Sequence, residues 1–267
     1  MDNGLFDFGF DFGVEQYSIE DVRQDLMNVV RYFQQVDYWE HAMQLSLVQE
    51  RKLPMQVAYD ADLFWIDEET TVAELPEWML QESLGIVKAG KYIPEAGRLI
   101  YPVKDVRGQV MGFCGWDPFV KPKYLDSKNY GYKAKATTFY GMEKLEEYYK
   151  NNRPVYVTEG IVDCLWLRLH GFQAFAALGS FLTPYVIQIL RRFGSRLVMI
   201  PDNDETGDSF IKQIKRQLPK ALIVQAAKGK DVDGMRKMED GIYELPLIEE
   251  LRLLSNPFVR TKLLIRR

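Results

Sequence analysis

Acidic residues at several places in the second half of the chain have the types and spacing needed to bind a divalent cation. Glu159 is followed by a glycine, and Asp202 and Asp204 form a D-x-D pattern with Gly207 three residues further on. Three more carboxylates stand near such positions, namely Asp163, Asp231 and Asp233. Clustered carboxylates repel one another unless cations neutralise them, so the pattern predicts a metal site that draws on these six residues.

Mg²⁺ is the cation that this ligand set predicts, with Mn²⁺ as the alternative. Mg²⁺ takes oxygen ligands from a few carboxylates and keeps its other positions for water and substrate phosphates. Two such ions can hold the attacking and the leaving oxygen of a phosphoryl displacement. Asp202 and Asp204 are the first candidates for metal ligands, and Glu159 is a candidate general acid or base, or a further metal-linked carboxylate. A lone D-x-D pattern is more often a turn or a helix cap, so the prediction depends on the combination.

Strand and helix patterns alternate along residues 153–232 and predict how these carboxylates meet. Apolar runs predict strands at 155–158, 174–178, 197–200 and 222–226, and helical patterns lie between them at 161–170, 184–193 and 210–218. This alternation is typical of an α/β fold with a parallel sheet that is buried on both faces. Ligands of such sheets bind beyond the carboxyl ends of the strands. Glu159 and Asp202 stand at two of these ends.

The segments around these acidic residues resemble the Toprim domain in the form found in DnaG-type primases. They read VTEGIVDCLWLRLHG, ALGSFLT, IPDNDETG and GKDVDG. The family pattern is E-G-x-x-D, then L-G, then D-x-D-x-x-G, then a further D-x-D. The resemblance implies a Toprim parallel sheet flanked by helices, with the six carboxylates as its metal-binding residues.

Upstream segments resemble the basic part of the same primase core. They are GRLIYPVKDVRGQVMGFCGW, KYLDS and KATTFYG, in the order that the family has them. The resemblance therefore covers roughly residues 85–235. It implies that a set of residues here contacts template phosphates or the incoming triphosphate, with base stacking as an option for the tyrosine: Arg98, Lys123, Tyr124, Lys128 and Lys135. For Tyr140, core packing is the preferred interpretation.

The implied activity is that of a DNA-directed RNA polymerase of the primase type. Such an enzyme makes short RNA primers from NTPs on single-stranded DNA during bacterial or phage replication. A replicative helicase or a separate template-binding protein is the implied partner. Two alternatives stay open, a Toprim nuclease that uses water as nucleophile and a non-catalytic replication protein that kept the fold. The upstream lysine motifs count against the first, and the retained carboxylates count against the second.

Three positions depart from the family pattern. Trp116 stands where the family usually has arginine, which implies that one phosphate contact is missing, moved or replaced by stacking. Val232 stands in place of a proline between the last two aspartates, and Asp126 stands where asparagine is usual.

Charge divides the chain into unlike parts. Residues 1–87 carry 18 acidic and 4 basic side chains, whereas residues 88–135 carry 4 acidic and 10 basic ones. Such asymmetry indicates one surface that meets an anion and another that repels it. The predicted division is a flexible acidic arm (1–16), a helical acidic region (17–87), a basic subdomain of mixed α+β structure (88–150), the Toprim domain (151–235) and a short, helical, basic tail (236–267).

Cysteine usage and hydropathy exclude several classes of protein. The chain has 2 cysteines outside any CxxC pattern, which argues against a disulfide framework and against a zinc site. The first residues have no basic n-region and no apolar run, so a signal peptide is not expected. No stretch is apolar over the length of a membrane span. A cytoplasmic protein without a membrane partner is expected, in the host cytoplasm if a phage encodes it.

Overall fold

The computed structural model describes residues 19–81, 84–88, 90, 93, 96–117, 119–126, 137–179 and 181–224. Several of the predictions above fall on residues outside these ranges and stay predictions: the acidic arm, the basic tail, Lys128, Lys135, Asp231 and Asp233.

The described part begins with an amphipathic helix, α1 (Ile19–Gln34). Its buried positions recur at helical spacing on one face: Leu26, Val29, Val30 and Phe33. That face packs against β1 (Phe64–Ile66) and β3 (Val110–Trp116). The Phe33 ring stacks on Phe64 with 5.5 Å between ring centroids, so an apolar stripe on the helix fixes it to the sheet.

The region 17–87, which was predicted to be helical, also contributes a strand. Its helices are α2 (Trp39–Met43), a π-helical segment (Gln44–Glu50), α3 (Met55–Asp60) and the 3₁₀ turns Val72–Glu74 and Glu77–Leu80. β1 lies among them and pairs with β2 (Arg98–Lys104). The predicted helical region thus also contains a three-residue strand, because long-range pairing with β2 decides so short an element.

An antiparallel sheet of the described residues has the strand order β1-β2-β3-β4, with β4 at Tyr124–Asp126. β2 and β3 form a hairpin through the turn after Lys104, where the Asp105 side chain accepts hydrogen bonds from the backbone N–H groups of Arg107 and Gln109. This sheet places the residues that carry the basic motifs.

The predicted parallel sheet has the order β6-β5-β7-β8. Its strands are β5 (Val155–Thr158), β6 (Gln173–Ala176), β7 (Leu197–Ile200) and β8 (Leu222–Ile223). Its helices are α4 (Leu145–Lys150), α5 (Ile161–Leu169), α6 (Pro184–Arg191) and α7 (Glu205–Gln217), with 3₁₀ turns at Met142–Lys144 and Gly194–Arg196. The α/β class is confirmed, although α7 begins five residues before the predicted start.

Both faces of the parallel sheet are buried, and alternate residues of each strand point to opposite faces. Tyr156 of β5 belongs to the core that also contains α1, the antiparallel sheet and the buried residues of α5. Val155 and Val157 belong to the second core, with α6 and α7. Helix α5 therefore lies on the face of the parallel sheet that shares a hydrophobic core with the antiparallel sheet. None of the described helices is long and apolar enough to span a bilayer.

Candidate active site

Glu159 directly follows the carboxyl end of β5, and β5 lies between β6 and β7 in the parallel sheet. Only 8% of its surface is exposed. Its Oε1 accepts a hydrogen bond of 2.9 Å from the backbone N–H of Asp202, which follows β7. Because Thr158 and Ile200 are register partners in the sheet, this hydrogen bond links the two strands where the sheet ends. The structure thus brings together the E-G and D-x-D motifs.

The D-x-D-x-x-G motif has a local explanation in the start of α7. Asp204 is the N-cap of this helix, and its Oδ1 accepts a hydrogen bond of 2.9 Å from the Gly207 backbone N–H. A Cβ atom on Gly207 would lie 1.9 Å from the carbonyl oxygen of Asp202. Glycine is therefore required for the chain to turn from Asp202 into the helix.

Asp163 reaches the same edge of the sheet from the first turn of α5, and it is 6% exposed. A Cβ atom on Gly160 would lie 2.7 Å from its Oδ2, so the glycine leaves room for the carboxylate. The Thr158 hydroxyl donates a 2.9 Å hydrogen bond to the Gly160 carbonyl and holds the turn between strand and helix. The spacing of the E-G-x-x-D motif follows from this geometry.

We call Glu159, Asp163, Asp202 and Asp204 the acidic edge. All four are carboxylates, the donor type that suits Mg²⁺, and two segments of chain supply them, 159–163 and 202–204. Among the described residues, no three acidic, histidine or cysteine side chains converge in a ready metal-binding group. The part of the prediction that rests on Asp231 and Asp233 lies outside those residues. As donors, the carboxylates present fit a hard divalent cation, and the metal-ligand assignments stay predictions.

The predicted binding residue Arg98 supports a loop with its guanidinium. Arg98 is buried, and its Nη1 donates hydrogen bonds of 3.1 Å to the carbonyls of both Pro122 and Lys123. A Cβ atom on Gly115 would lie 2.9 Å from Arg98 Cδ, which shows how the arginine crosses β3. We call residues 119–124, which follow β3 and include Lys121 and Lys123, the basic segment. A contact of Arg98 with template or nucleotide stays a prediction.

Arg51 is a site residue that the sequence reasoning missed. It follows the π-helical segment and is buried, and its guanidinium carbon lies 3.6 Å from the ring centroid of Trp116. Its Nη2 donates a 3.1 Å hydrogen bond to the Tyr124 hydroxyl. A guanidinium from the helical region thus stacks on Trp116. Whether Trp116 replaces a phosphate contact stays a prediction. A rare basic residue in a strongly acidic region was the available signal.

Tyr124 is the last residue of the basic segment and lies against Arg51. It pairs with Trp116 across the antiparallel strands, and its side chain remains 43% exposed although its hydroxyl contacts Arg51. Burial raises the pKa of Tyr124 to about 12, Arg51 opposes this increase, and the Asp163 carboxylate adds to it. The phenol therefore stays protonated at neutral pH, close enough to Asp163 to be affected by its charge.

Arg168 of α5 fixes the remaining motif, which ends in Tyr140 and Gly141. Its Nε donates a 2.9 Å hydrogen bond to the Ala174 carbonyl, and its Nη2 donates one of 3.4 Å to the Gly141 carbonyl. Tyr140 is buried and forms an antiparallel bridge with Ala176, which confirms its predicted packing role. The two cysteines, Cys114 and Cys164, are buried free thiols.

Comparisons with known proteins agree with this arrangement. The Toprim-like family matches residues 156–235. The DNA primase of Legionella pneumophila is 34% identical over 113 residues, which are 41% of this chain and 20% of that protein. The chain therefore matches about a fifth of the length of this relative.

Solved structures show the same fold over most of the chain. The RNA polymerase domain of the Mycobacterium tuberculosis primase DnaG has a TM-score of 0.69 at 19% identity, and the match covers 89% of this chain and 83% of that one. A DnaG primase catalytic domain bound to single-stranded DNA has a TM-score of 0.66 at 21% identity, with 91% and 86% covered. The chain has the fold of a DnaG-type primase catalytic core and contains a Toprim-like domain.

Proposed function

We propose that this chain, a primase-type catalytic core by its fold, synthesises short RNA primers on single-stranded DNA. One observation carries the proposal. The Glu159 carboxylate accepts a 2.9 Å hydrogen bond from the Asp202 backbone N–H, so the acidic motifs E-G and D-x-D are held together at the carboxyl ends of adjacent parallel strands. The antiparallel sheet of the same chain carries the basic segment, which ends at Tyr124. An acidic edge beside a basic surface is what a reaction between cation-bound phosphates and a polyanionic template requires.

Each group has a proposed task. Asp202 and Asp204 hold the divalent cations, and Asp163 adds negative charge beside them. A divalent cation held there would neutralise the charge of the triphosphate and favour deprotonation of the 3′-hydroxyl. Glu159 keeps Asp202 in place and accepts or holds the proton of that hydroxyl.

The basic residues hold the polyanions. Lys123 is exposed and binds phosphates of the template or the triphosphate, while Arg98 keeps the segment that carries it in shape. The names of the compared proteins support the choice of reaction, since the Legionella pneumophila relative is a DNA primase and one solved domain was bound to single-stranded DNA.

The acidic front of the chain is proposed to meet protein rather than DNA. Residues 1–87 carry 18 acidic and 4 basic side chains, a charge that repels a template. A replicative helicase or a separate template-binding protein is the partner class that we propose for it. The reaction takes place in the cytoplasm, where free thiols stay reduced.

A single gel tests the activity. The full chain is incubated with a single-stranded template, labelled NTPs and Mg²⁺ or Mn²⁺, with and without a supplied dinucleotide. We expect short labelled products that the double variant Asp202→Asn/Asp204→Asn does not make, because it removes the charges that hold the cations. Asp208→Asn, which removes an exposed carboxylate from the same helix, is the matched control and should retain synthesis.

The same gel separates the alternatives. Cleavage of the template without synthesis would replace the proposal with a nuclease, in which water takes the place of the 3′-hydroxyl. Full synthesis by the double variant would reject the role of the acidic edge.

A further inference from the structure

The loop that joins β3 to β4 exposes an aromatic ring next to two lysines. Phe119 is 85% exposed, and Val120 and Tyr124 are 48% and 43% exposed. Lys121 and Lys123 lie between them and are exposed too. The basic segment itself contains no acidic residue, although Asp117 precedes it and Asp126 follows it, and its two lysines stand between the exposed rings of Phe119 and Tyr124.

The backbone of this loop is held from its base. The Asp117 N–H donates a 2.9 Å hydrogen bond to the Lys123 carbonyl, which closes the loop. The Phe119 N–H donates one of 2.7 Å to the Asp117 side chain. Arg98 adds two more hydrogen bonds, to the carbonyls of Pro122 and Lys123. The exposed ring is therefore presented by a defined backbone, and water contact with such a ring is unfavourable until a ligand covers it.

The chemistry of the segment points to a single-stranded nucleic acid. Sites for single strands combine aromatic faces, on which bases stack, with cations that follow the phosphates. A duplex would not offer its base faces to Phe119, because they are stacked within the helix. The segment ends at Tyr124, whose hydroxyl accepts a 3.1 Å hydrogen bond from Arg51, so this end of the segment is anchored on the antiparallel sheet.

We propose that Phe119 is a stacking platform for one base of a single strand, with Lys121 and Lys123 contacting the flanking phosphates. That the strand is the template rests on the proposed function. The stacking itself needs neither NTP nor metal. Phe119 lies outside the segments that carried the resemblance to primases, and it gives the strand a fixed point from which to pass toward the acidic edge.

Equilibrium binding of the full chain to two labelled strands tests the platform. One strand is an oligothymidine, and the other is an abasic strand of the same length, and neither NTP nor metal is added. Wild type should bind the base-bearing strand more tightly. Phe119→Ala should weaken that binding by about 5-fold to about 100-fold, the range for loss of one stacked base, and leave the abasic strand almost unaffected. Phe119→Trp should restore the preference.

Val106→Ala is the matched control. Val106 is a 51% exposed apolar residue in the turn at the other end of β3, so its removal should change neither affinity. Equal affinity of wild type and Phe119→Ala for oligothymidine would overturn the proposal. The exposed ring would then be assigned to contact with another protein. An equal loss on both strands would overturn it too. If the base preference depends on Phe119 but wild type makes no primers, the platform stands and the proposed function fails.

Discussion

The acidic edge and the basic segment differ in what the fold holds in place. It holds the side chains of the first and the backbone of the second. At the acidic edge the side chains are held, since Glu159 is 8% exposed and Asp163 is 6% exposed, and Glu159 bonds to the backbone of Asp202. In the basic segment the backbone is held and the side chains stay in water, with Phe119 85% exposed. Chemistry on a phosphate needs atoms at fixed positions, whereas a strand of variable sequence needs adaptable contacts.

The largest expected effect comes from removing charge and keeping shape at the acidic edge. Glu159→Gln retains an oxygen that can accept the Asp202 N–H, so the fold should be kept. Loss of the charge should lower primer synthesis by at least about 100-fold, more than is usual for groups that only support a metal ligand. The melting temperature should not fall, because repulsion among the carboxylates decreases.

Two measurements decide this prediction, the rate of primer synthesis and the thermal unfolding midpoint. Glu146→Gln, in which an exposed carboxylate on α4 loses its charge, should leave the rate unchanged. If Glu159→Gln retained half of the wild-type rate, the held side chain would be structural, and the comparison between the two regions would lose its basis.

An intermediate effect is expected at Arg98, where a side chain supports the basic segment. Arg98→Ala removes the donor to the Pro122 and Lys123 carbonyls together with buried packing, so the free energy of unfolding should fall by about 1–3 kcal/mol. Affinity for single-stranded DNA should fall with it, because the segment loses its shape. Chemical denaturation and DNA titration are measured on the same preparation.

Arg107→Ala provides the comparison, since Arg107 is exposed in the β2–β3 turn and should change stability by less than about 0.5 kcal/mol. Weaker DNA binding by Arg98→Ala at unchanged stability would mean that the guanidinium contacts the strand directly, as the family resemblance implies.

The two regions also differ in how far sequence could predict them. The strands that end at Glu159 and Asp202 are apolar runs set between helical patterns, so local signals suffice. The start of α7 was predicted at Phe210, whereas the Asp204 cap begins the helix at Glu205. That cap depends on local geometry that single-residue propensities do not represent.

Contacts between distant segments account for the rest. Arg51 and Trp116 meet only when the helical region packs on the antiparallel sheet, and no pattern near either residue predicts the pair. β1 exists because it pairs with β2, 32 or more residues later in the chain by the Ile66–Arg98 register. The exposure of Phe119 is likewise a property of the folded loop and was not predicted.

The smallest expected effect is at Lys123, and it shows best whether the basic segment works through adaptable charge. Its backbone carbonyl accepts hydrogen bonds from Asp117 and Arg98, so Lys123→Ala should leave the loop intact. Affinity for single-stranded DNA should fall a few-fold at low salt, and the slope of log K against log salt should decrease by about 0.7 for one lost phosphate contact. The difference from wild type should vanish at high salt, where counterions compete. Lys150→Ala, on α4 before β5 and paired with Glu146, should leave the slope unchanged. If Lys123→Ala instead stopped synthesis at every salt concentration with an unaltered slope, the lysine would act on the reacting triphosphate. Lys123 would then belong with the side chains that need a fixed position, and the contrast between the acidic edge and the basic segment would not hold for it.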